Sequence, residues 1–459
     1  MLDELRNGAG SLGVDDLLHG RVRVHTTIDS RVQQIATEAV ERGLQRYERR
    51  HSTRAGETQA AVVVLRNADA AVLAEVGGRR LYQGREGRYT DFNRATQAMR
   101  QPGSALKPLV YAAALRAGAS LDTFLLDEPI DVEGTSAGAV KAIANYDHIY
   151  RGPIRLREAL AESRNAATVW LARAVGMPNI LSTARDLGME VALPPYLSTA
   201  LGASEVSLRE LANVYRALAS GMTAHPHVVE RLESAAQKVV YETTERGRAI
   251  AIPELPMIQE ALRGVVRLPN GTAHSLAGRS FPISVMGKTG TSNDCRDAVF
   301  VGSTYGPDGI TVAVWVGRDD FSPLGRGESG GRVALPVFRD IMAQVYRPDV
   351  LGASPRMPTA IDRSIDNYVA WQAVMAEADA AAPEALEPAW GPYRYGNAAF
   401  NFPTDADDAP APRLRAIERG RSICAAVAGG TVCIPRASAP PGWRAAAESA
   451  VRPAAWLEP

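Results

Sequence analysis

The chain has 459 residues, of which 46% are hydrophobic and 22% are charged, the balance of a globular protein with a sizeable core rather than of a disordered chain. Its 51 basic residues equal its 51 acidic residues, so net charge gives no argument for a nucleic-acid partner. No run of apolar residues is long enough to predict a membrane-spanning helix, and the N-terminus lacks the basic-then-apolar pattern of a signal peptide.

The chain begins with a predicted linker, residues 1–30, whose last residues form a short strand. An amphipathic helix is predicted from about residue 31, because apolar residues recur there at helical spacing. Two apolar runs, 60–65 and 71–76, are separated by turn residues and predict an antiparallel hairpin.

From about residue 95 to 260 the pattern becomes helical and rich in Ala and Leu. Further along the chain we predict strands at 283–286, 298–302 and 310–316 and an amphipathic helix at 334–346. This order predicts an α+β domain over residues 31–347, with an antiparallel sheet built from both ends of the segment around the helical insertion.

The composition shifts after about residue 348. Residues 348–459 form a predicted C-terminal extension of unknown role, and its Ala/Pro/Asp-rich segments, 376–383 and 404–412, are typical of linkers or a loosely packed tail. Cys424 and Cys433 lie in a predicted hairpin, where a disulfide and two free thiols both remain open. The seven histidines show no metal-ligand spacing, so we expect no metal ion and no cofactor.

The first candidate for chemistry is Gln101-Pro-Gly-Ser-Ala-Leu-Lys107. The Pro-Gly pair suits a turn that opens a helix, which puts Ser104 and Lys107 on one helix face. A neighbouring amine can take the proton of a serine hydroxyl if burial and nearby cations lower the pKa of that amine. Lysine is rare here, with only four among the 51 basic residues, and arginine cannot readily serve as a base. Alone, the pair also fits an ordinary surface contact.

The second candidate is Ser163-Arg-Asn165, at the start of a predicted helix. The Ser163 hydroxyl can relay a proton to a leaving amine, and the Asn165 amide can bond a substrate carbonyl. The simpler alternative is that Ser163 only caps the helix.

The third candidate, Lys288-Thr-Gly-Thr291, follows an apolar strand. A glycine inside a strand is typical of a place where a ligand or another backbone comes close, which gives Gly290 a role. A ligand can lie along such a strand, with positive charge from Lys288 and hydroxyls from Thr289 and Thr291 for a carboxylate. The alternative is a strand end with a solvated lysine.

The three motifs occur in the order Ser-x-x-Lys, Ser-x-Asn and Lys-Thr-Gly, and two of the four lysines fill the two lysine positions. This triple is shared by penicillin-binding proteins and class A β-lactamases. Between about residues 22 and 345 the chain resembles the transpeptidase part of class A, bifunctional penicillin-binding proteins. The similar stretches include Thr26-Thr-Ile-Asp29, Phe92-Asn-Arg-Ala-Thr-Gln97, Asp127-Glu-Pro-Ile130, Leu201-Gly-Ala-Ser-Glu-Val206 and Val314-Trp-Val-Gly-Arg-Asp-Asp320.

The resemblance implies a fold and a reaction. The fold is a five-stranded antiparallel sheet flanked by helices, with an inserted all-helical subdomain. Ser104 would attack the penultimate D-Ala carbonyl of a peptidoglycan stem pentapeptide and expel the terminal D-Ala. Lys107 would act as the base, Ser163 would return the proton to the leaving amine, and an amine of a neighbouring stem would attack the acyl-enzyme.

The resemblance also implies how the substrate is held. Backbone N–H groups of Ser104 and Thr291 would form an oxyanion hole. Thr289 and Thr291, beside Gly290 and with Lys288 nearby, would bind the D-Ala carboxylate. The expected catalytic residues are Ser104, Lys107, Ser163, Asn165 and Lys288, and the expected substrate-binding residues are Thr289, Gly290 and Thr291.

The expected partners are peptidoglycan stem peptides, β-lactams that acylate Ser104, and a membrane-anchored glycosyltransferase or other cell-wall proteins, all in the cell envelope. The glycosyltransferase domain typical of this class does not fit before residue 22, so we do not expect its activity in this chain. Arg164 stands where Leu is common, and we expect little consequence because only Ser163 and Asn165 need face the cleft.

Other functions are weighed against the same residues. A class A β-lactamase needs a Glu-x-x-Leu-Asn segment shortly after Ser-x-Asn, whereas Glu190 is the only glutamate in residues 166–200. A DD-carboxypeptidase, with water as acceptor, remains open. So does a non-catalytic scaffold or β-lactam sensor, although all motif residues are intact.

Overall fold

A computed structural model describes Glu4, residues 22–51, 56–79, 92–133, 140–234 and 239–381, and three short strands between residues 416 and 435. The chain divides into two compact units, Met1–Phe400 and Asn401–Pro459. Among the described residues, no helix combines the length and the apolarity that a bilayer crossing requires.

A five-stranded antiparallel sheet lies at the centre of the first unit. Its strands, in spatial order, are β12 (Met286–Thr291), β13 (Asp297–Ser303), β14 (Ile310–Gly317), β2 (Gln59–Arg66) and β3 (Val72–Val76). The prediction of a sheet built from both ends of the segment is confirmed, because β2 pairs with β14 along its whole length. β12 is an edge strand, so one of its sides is open to a ligand.

β12 corrects the predicted strand at 283–286. The strand begins at Met286 and continues through Thr291, so the Lys-Thr-Gly residues lie within the strand rather than after it. Lys288 pairs with Val301, and Gly290 pairs with Val299 of β13. These small and polar residues carry no apolar pattern of their own, and the neighbouring strand keeps them extended.

Helices cover both faces of this sheet. The described helices are α1 (Ser30–His51), α2 (Lys107–Arg116), α3 (Leu156–Ala161), α4 (Asn165–Val175), α5 (Met177–Asp186), α6 (Leu208–Ser220), α7 (Leu255–Arg267), α8 (Gly330–Val345) and α9 (Thr359–Ala381). Phe300 of β13 packs edge-on against Phe338 of α8, with ring centroids 4.7 Å apart. Its strand neighbour Val299 points to the other face, where Leu208 and Leu211 of α6 lie.

The insertion between β3 and β12 is mainly helical, but it is not all-helical as expected. The short strands outside the central sheet are β1 (Val22–Thr26), β4 (Phe124–Asp127), β5 (Ile130–Glu133), β6 (Val140–Ile143), β7 (Gly152–Arg155), β8 (Met222–Thr223), β9 (Val229–Ser234), β10 (Val239–Glu242) and β11 (Arg248–Ala249). Strands of two to six residues are too short to show a clear alternation, so their partners decide their conformation. β1 falls in the predicted linker and pairs with β9.

Part of the C-terminal extension is packed rather than loose. α9 buries Ile361 and Ile365, and its Asp362 accepts a hydrogen bond of 3.0 Å from Arg263 of α7. The guanidinium of Arg157 stacks over the Tyr368 ring at 4.4 Å. The predicted loose segment 376–383 begins inside this helix, and the segment 404–412 lies outside the described residues.

The second unit contains the three short strands. They are β15 (Ala416–Arg419), β16 (Ser422–Val427) and β17 (Gly430–Pro435). The predicted hairpin is confirmed, and its backbone register places Cys424 opposite Cys433. The disulfide stays a prediction.

The packing of α9 gives a test of stability. Ile365 is 2% exposed, so Ile365→Ala should lower the free energy of unfolding by about 2–4 kcal/mol through a cavity. Val374 on the same helix is 63% exposed, and Val374→Ala should change the free energy of unfolding by less than about 0.5 kcal/mol. Urea unfolding of both variants measures the difference. Equal stability of the two variants would show that α9 does not pack on the domain.

Candidate active site

Ser104 lies in a tight turn that the sequence predicted as the start of a helix. The turn is a 3-10 helix over Gly103–Leu106, and α2 continues from Lys107, whose backbone N–H donates to Ser104 O. Ser104 is half-buried. Gly103 has a φ of +53°, a conformation that favours glycine, and a Cβ there would lie 2.3 Å from Thr291 O. The turn therefore presses directly against the end of β12.

Gly290 makes the same contact from the β12 side. A Cβ on Gly290 would lie 2.1 Å from Pro102 O and 2.9 Å from the Ala105 side chain. No residue larger than glycine fits unless the strand and the Ser104 turn move apart. The first and third motifs are thus brought together, as the sequence predicted.

Lys107 connects the first motif to the second. Its side chain is fully buried, which excludes the alternative of a surface contact. Lys107 Nζ donates to Ser163 O at 2.6 Å and to Asn165 Oδ1 at 2.7 Å, and it lies 3.3 Å from Ser163 Oγ. The amine sits between the Ser104 turn and the start of α4.

Ser163 lies in a break between two helices, just before the helix start that the sequence predicted. α3 ends at Ala161 and α4 begins at Asn165, and Ser163 has a φ of +63°. The alternative that Ser163 caps α4 is wrong, because the N-cap residue is Arg164 and no side-chain cap bond comes from it. The break turns both the carbonyl and the hydroxyl of Ser163 toward Lys107.

The backbone N–H groups in the first turn of α4 donate hydrogen bonds to a side chain from a distant segment. Asn145 Oδ1 accepts hydrogen bonds from the backbone N–H of Asn165 at 2.7 Å and of Ala166 at 3.3 Å. Asn145 Nδ2 donates to the buried carboxylate of Asp127 at 2.7 Å. Asn145 was not predicted from the sequence, and Asp127 was noted only as part of a stretch that resembles the family. Neither residue lies near a motif in the chain.

The two lysines of the site are both completely buried. Burial lowers the pKa of Lys107 well below its ordinary value, the charge of Lys288 lowers it further, Asp127 raises it, and Arg164 lowers it. Burial alone lowers the pKa of Lys288 to about 7. The alternative of a solvated lysine at a strand end is therefore wrong.

Arg164 has more contacts than the sequence analysis expected of it. Its side chain is buried, bonds to Asp147 at 2.9 Å and Glu162 at 3.0 Å, and lies 3.8 Å from Asp127. A buried guanidinium needs such partners, whereas the Leu common at this position does not. The middle residue of Ser-x-Asn thus adds a charge to the surroundings of Lys107.

Two hydroxyls of β12 have fixed partners. Thr289 Oγ1 donates to Thr272 Oγ1 at 2.8 Å, and Gly330 N at the start of α8 donates to Thr291 Oγ1 at 3.0 Å. Because Thr291 Oγ1 accepts from a backbone N–H, its own O–H stays available to an anion. Thr272 and Gly330 were not predicted, since only the folded chain brings them to the strand.

Comparison with known proteins gives the family. The family profile described as the penicillin binding protein transpeptidase domain matches residues 60–343. Over 334 residues the chain is 32% identical to penicillin-binding protein 1A of Rickettsia bellii, a match covering 67% of this chain and 40% of that protein. Over 315 residues it is 36% identical to penicillin-binding protein 1A of Neisseria lactamica, covering 66% of this chain and 38% of that protein. The chain thus spans about 40% of the length of these curated relatives.

Solved structures show the same fold. Penicillin-binding protein 1A from Haemophilus influenzae has a TM-score of 0.64 at 22% identity, over 73% of this chain and 67% of that chain. The PonA1 protein of Mycobacterium tuberculosis in complex with penicillin V has a TM-score of 0.61 at 24% identity, over 78% of this chain and 96% of that chain. The fold implied by the resemblance is confirmed. The chain belongs to the penicillin-binding protein transpeptidase family.

Proposed function

We propose that this chain is a serine DD-transpeptidase that cross-links peptidoglycan stem peptides through an acyl-enzyme on Ser104. One observation carries the proposal. The buried amine of Lys107, hydrogen-bonded to Ser163 and Asn165, lies one helical turn from Ser104, and the open edge of β12 contacts the same turn. A nucleophile, a base and a strand for the substrate thus converge.

Lys107 is suited to act as the base. A neutral amine has two N–H groups and one lone pair, and the carbonyl of Ser163 and Oδ1 of Asn165 accept the two N–H groups. The lone pair then remains for a proton from a hydroxyl. As the Ser104 proton moves to Lys107 Nζ, Ser104 Oγ bonds to the carbonyl carbon of the penultimate D-Ala.

Ser163 completes the proton path. Its Oγ lies 3.3 Å from Lys107 Nζ, so it can pass the proton from the lysine to the amine of the terminal D-Ala as the C–N bond breaks. An amine from a neighbouring stem then attacks the ester and loses a proton to the same base. Lys107 gives that proton to Ser104 Oγ as the ester bond breaks, which restores the free serine. Water in that position would give a DD-carboxypeptidase.

The contact between the Ser104 turn and β12 supports the oxyanion hole. The backbone N–H groups of Ser104 and Thr291 would donate to the oxygen of the tetrahedral intermediate, each typically worth about 3–4 kcal/mol. Thr289 and Thr291 with Lys288 would hold the terminal carboxylate of the substrate. A β-lactam carries a similar carboxylate and carbonyl, and we expect it to acylate Ser104.

We infer that the chain works in the cell envelope, and the family resemblance supports this inference. The protein partner that we propose is a membrane-anchored glycosyltransferase or another cell-wall protein.

A fluorescent penicillin tests the proposed function. The label should appear on the peptide that contains Ser104, persist for many minutes, and be absent from Ser104→Ala. Mass spectrometry locates the label, and a melting curve controls the folding of the variant. Labelling of Ser104→Ala, or of no serine, would exclude the mechanism. Rapid loss of label with drug hydrolysis would indicate a β-lactamase, and release of D-Ala without cross-linking would indicate a carboxypeptidase.

Gly290→Ala tests the contact between β12 and the Ser104 turn. The added methyl group would push the strand away, so the rate of penicillin acylation should fall by about 100-fold. Gly278→Ala is a matched control, because its Cβ would meet nothing nearer than Ser280 Oγ at 3.7 Å. Stopped-flow acylation of both variants measures the effect. An unchanged rate in Gly290→Ala would contradict the close packing.

The two lysines predict a pH dependence of acylation. The reaction needs a neutral Lys107 and a charged Lys288, and a depressed pKa means that each amine is charged only below that pKa. The second-order rate constant of acylation should therefore fall above about pH 7, where Lys288 of the unacylated protein loses its proton. Lys288→Arg should remove this decline, because arginine keeps its charge. A rate that stays constant from pH 6 to 9 in the unaltered protein would contradict the role of Lys288.

A further inference from the structure

We infer that Asp127 and Asn145 are a pair of positioning residues that hold Asn165 against the catalytic lysine. The inference rests on the proposed function of Lys107. Neither residue belongs to the three motifs, and both are buried, at 0% and 2% exposed. Hydrogen bonds to the side chains of Asp127 and Asn145 link strand β4 to the start of α4.

The start of α4 is held by a hydrogen-bond acceptor from outside the helix. The first N–H groups of a helix have no partner within the helix, and a side-chain oxygen just before the helix usually accepts from one of them. In α4 that oxygen comes from Asn145, which accepts from Asn165 N at 2.7 Å and from Ala166 N at 3.3 Å. The position of the Asn165 backbone is therefore set by a residue outside the helix.

The orientation of the Asn165 side chain is fixed by Ala144. Asn165 Nδ2 donates to the carbonyl of Ala144 at 2.9 Å, so Oδ1 of the same amide is turned toward Lys107 Nζ at 2.7 Å. Ala144 and Asn145 are neighbours in the chain. One short segment thus holds Asn165 by its backbone and by its side chain.

The segment of Ala144 and Asn145 is in turn held in place by Asp127 and by the carbonyl of Ile149. Asn145 Nδ2 donates to Asp127 Oδ1 at 2.7 Å and to Ile149 O at 2.9 Å, which determines the orientation of its amide. Asp127 Oδ2 accepts from Arg151 N at 3.1 Å. A fully buried carboxylate is costly unless it is hydrogen-bonded, so Asp127 keeps its donors in place.

Asp127 also acts on the charge of Lys107. The charged groups around the amine are Lys288 on β12 and Arg164 between α3 and α4, which repel its proton, and Asp127 on β4, which attracts it. Glu162 and Asp147 pair with Arg164 rather than with the lysine. Removal of the Asp127 charge should therefore lower the pKa of Lys107 further.

The two variants Asn145→Ala and Asp127→Asn test the inference. Asn145→Ala should slow acylation of Ser104 by about tenfold or more at its pH optimum, since the lysine loses an ordered partner. Ser207→Ala is the matched control: Ser207 caps α6 by accepting from Glu210 N at 3.2 Å, and it lies in none of the contacts of Lys107. It should lower the melting temperature to a similar degree and leave the acylation rate unchanged.

A second measurement does not depend on activity. The chain contains only four lysines, so protein labelled with ¹³C at lysine Cε gives few NMR signals, and a Lys107→Arg variant assigns the one from Lys107. In Asp127→Asn the titration of Lys107 should move to lower pH than in the unaltered protein.

The outcomes separate this inference from the proposed function. Penicillin labelling of the unaltered protein, with the acylation rate and the Lys107 titration unchanged in both variants, would overturn the inference alone. A shifted Lys107 titration in Asp127→Asn without any labelling of Ser104 would support the link between Asp127 and the lysine and overturn the proposed function.

Discussion

The site depends on the complete burial of one amine. Among the described residues, the hydrogen-bond partners of Lys107 include no carboxylate, and burial makes its charged form unfavourable. A buried neutral amine still needs acceptors for its N–H groups, and only oxygens that cannot donate serve that need while leaving its lone pair free. This requirement explains the break between α3 and α4, because a continuous helix would keep the Ser163 carbonyl in its own backbone ladder.

The second constraint is the absence of side chains where the strand meets the turn. Gly103 and Gly290 let the Ser104 turn and β12 touch through their backbones, so the backbone N–H groups of both elements can face one carbonyl oxygen. β12 has this freedom because it is an edge strand. The sheet therefore does more than fill the core: its open edge is one wall of the candidate site, and the turn that carries Ser104 is the other.

Much of this arrangement follows from the sequence, and the reason is local. The central strands have long apolar runs, the Ser104 motif carries its own turn pattern, and the three motifs are recognisable by their residues and order, so the hairpin, the sheet and the motif residues could be predicted. Asn145 could not be predicted as the cap of α4, because strand β7 and helix α3 separate it from α4 in the chain and only tertiary contact reveals it. The same holds for Arg164, whose ion pairs come from residues that the pattern of Ser-x-Asn does not include.

Helix α9, which follows the matched residues 60–343, also helps to hold the elements around the site in place. Arg263 of α7 donates to Asp362 of α9 and to the carbonyl of Val285, the residue before β12. Gln372 of α9 donates at 2.6 Å to Glu158 of α3, the helix that leads to Ser163. A helix outside the matched residues 60–343 thus contacts α3 directly and is linked to the start of β12 through Arg263 of α7. These contacts make α9 part of the folded domain that carries the motif residues rather than a loosely packed tail.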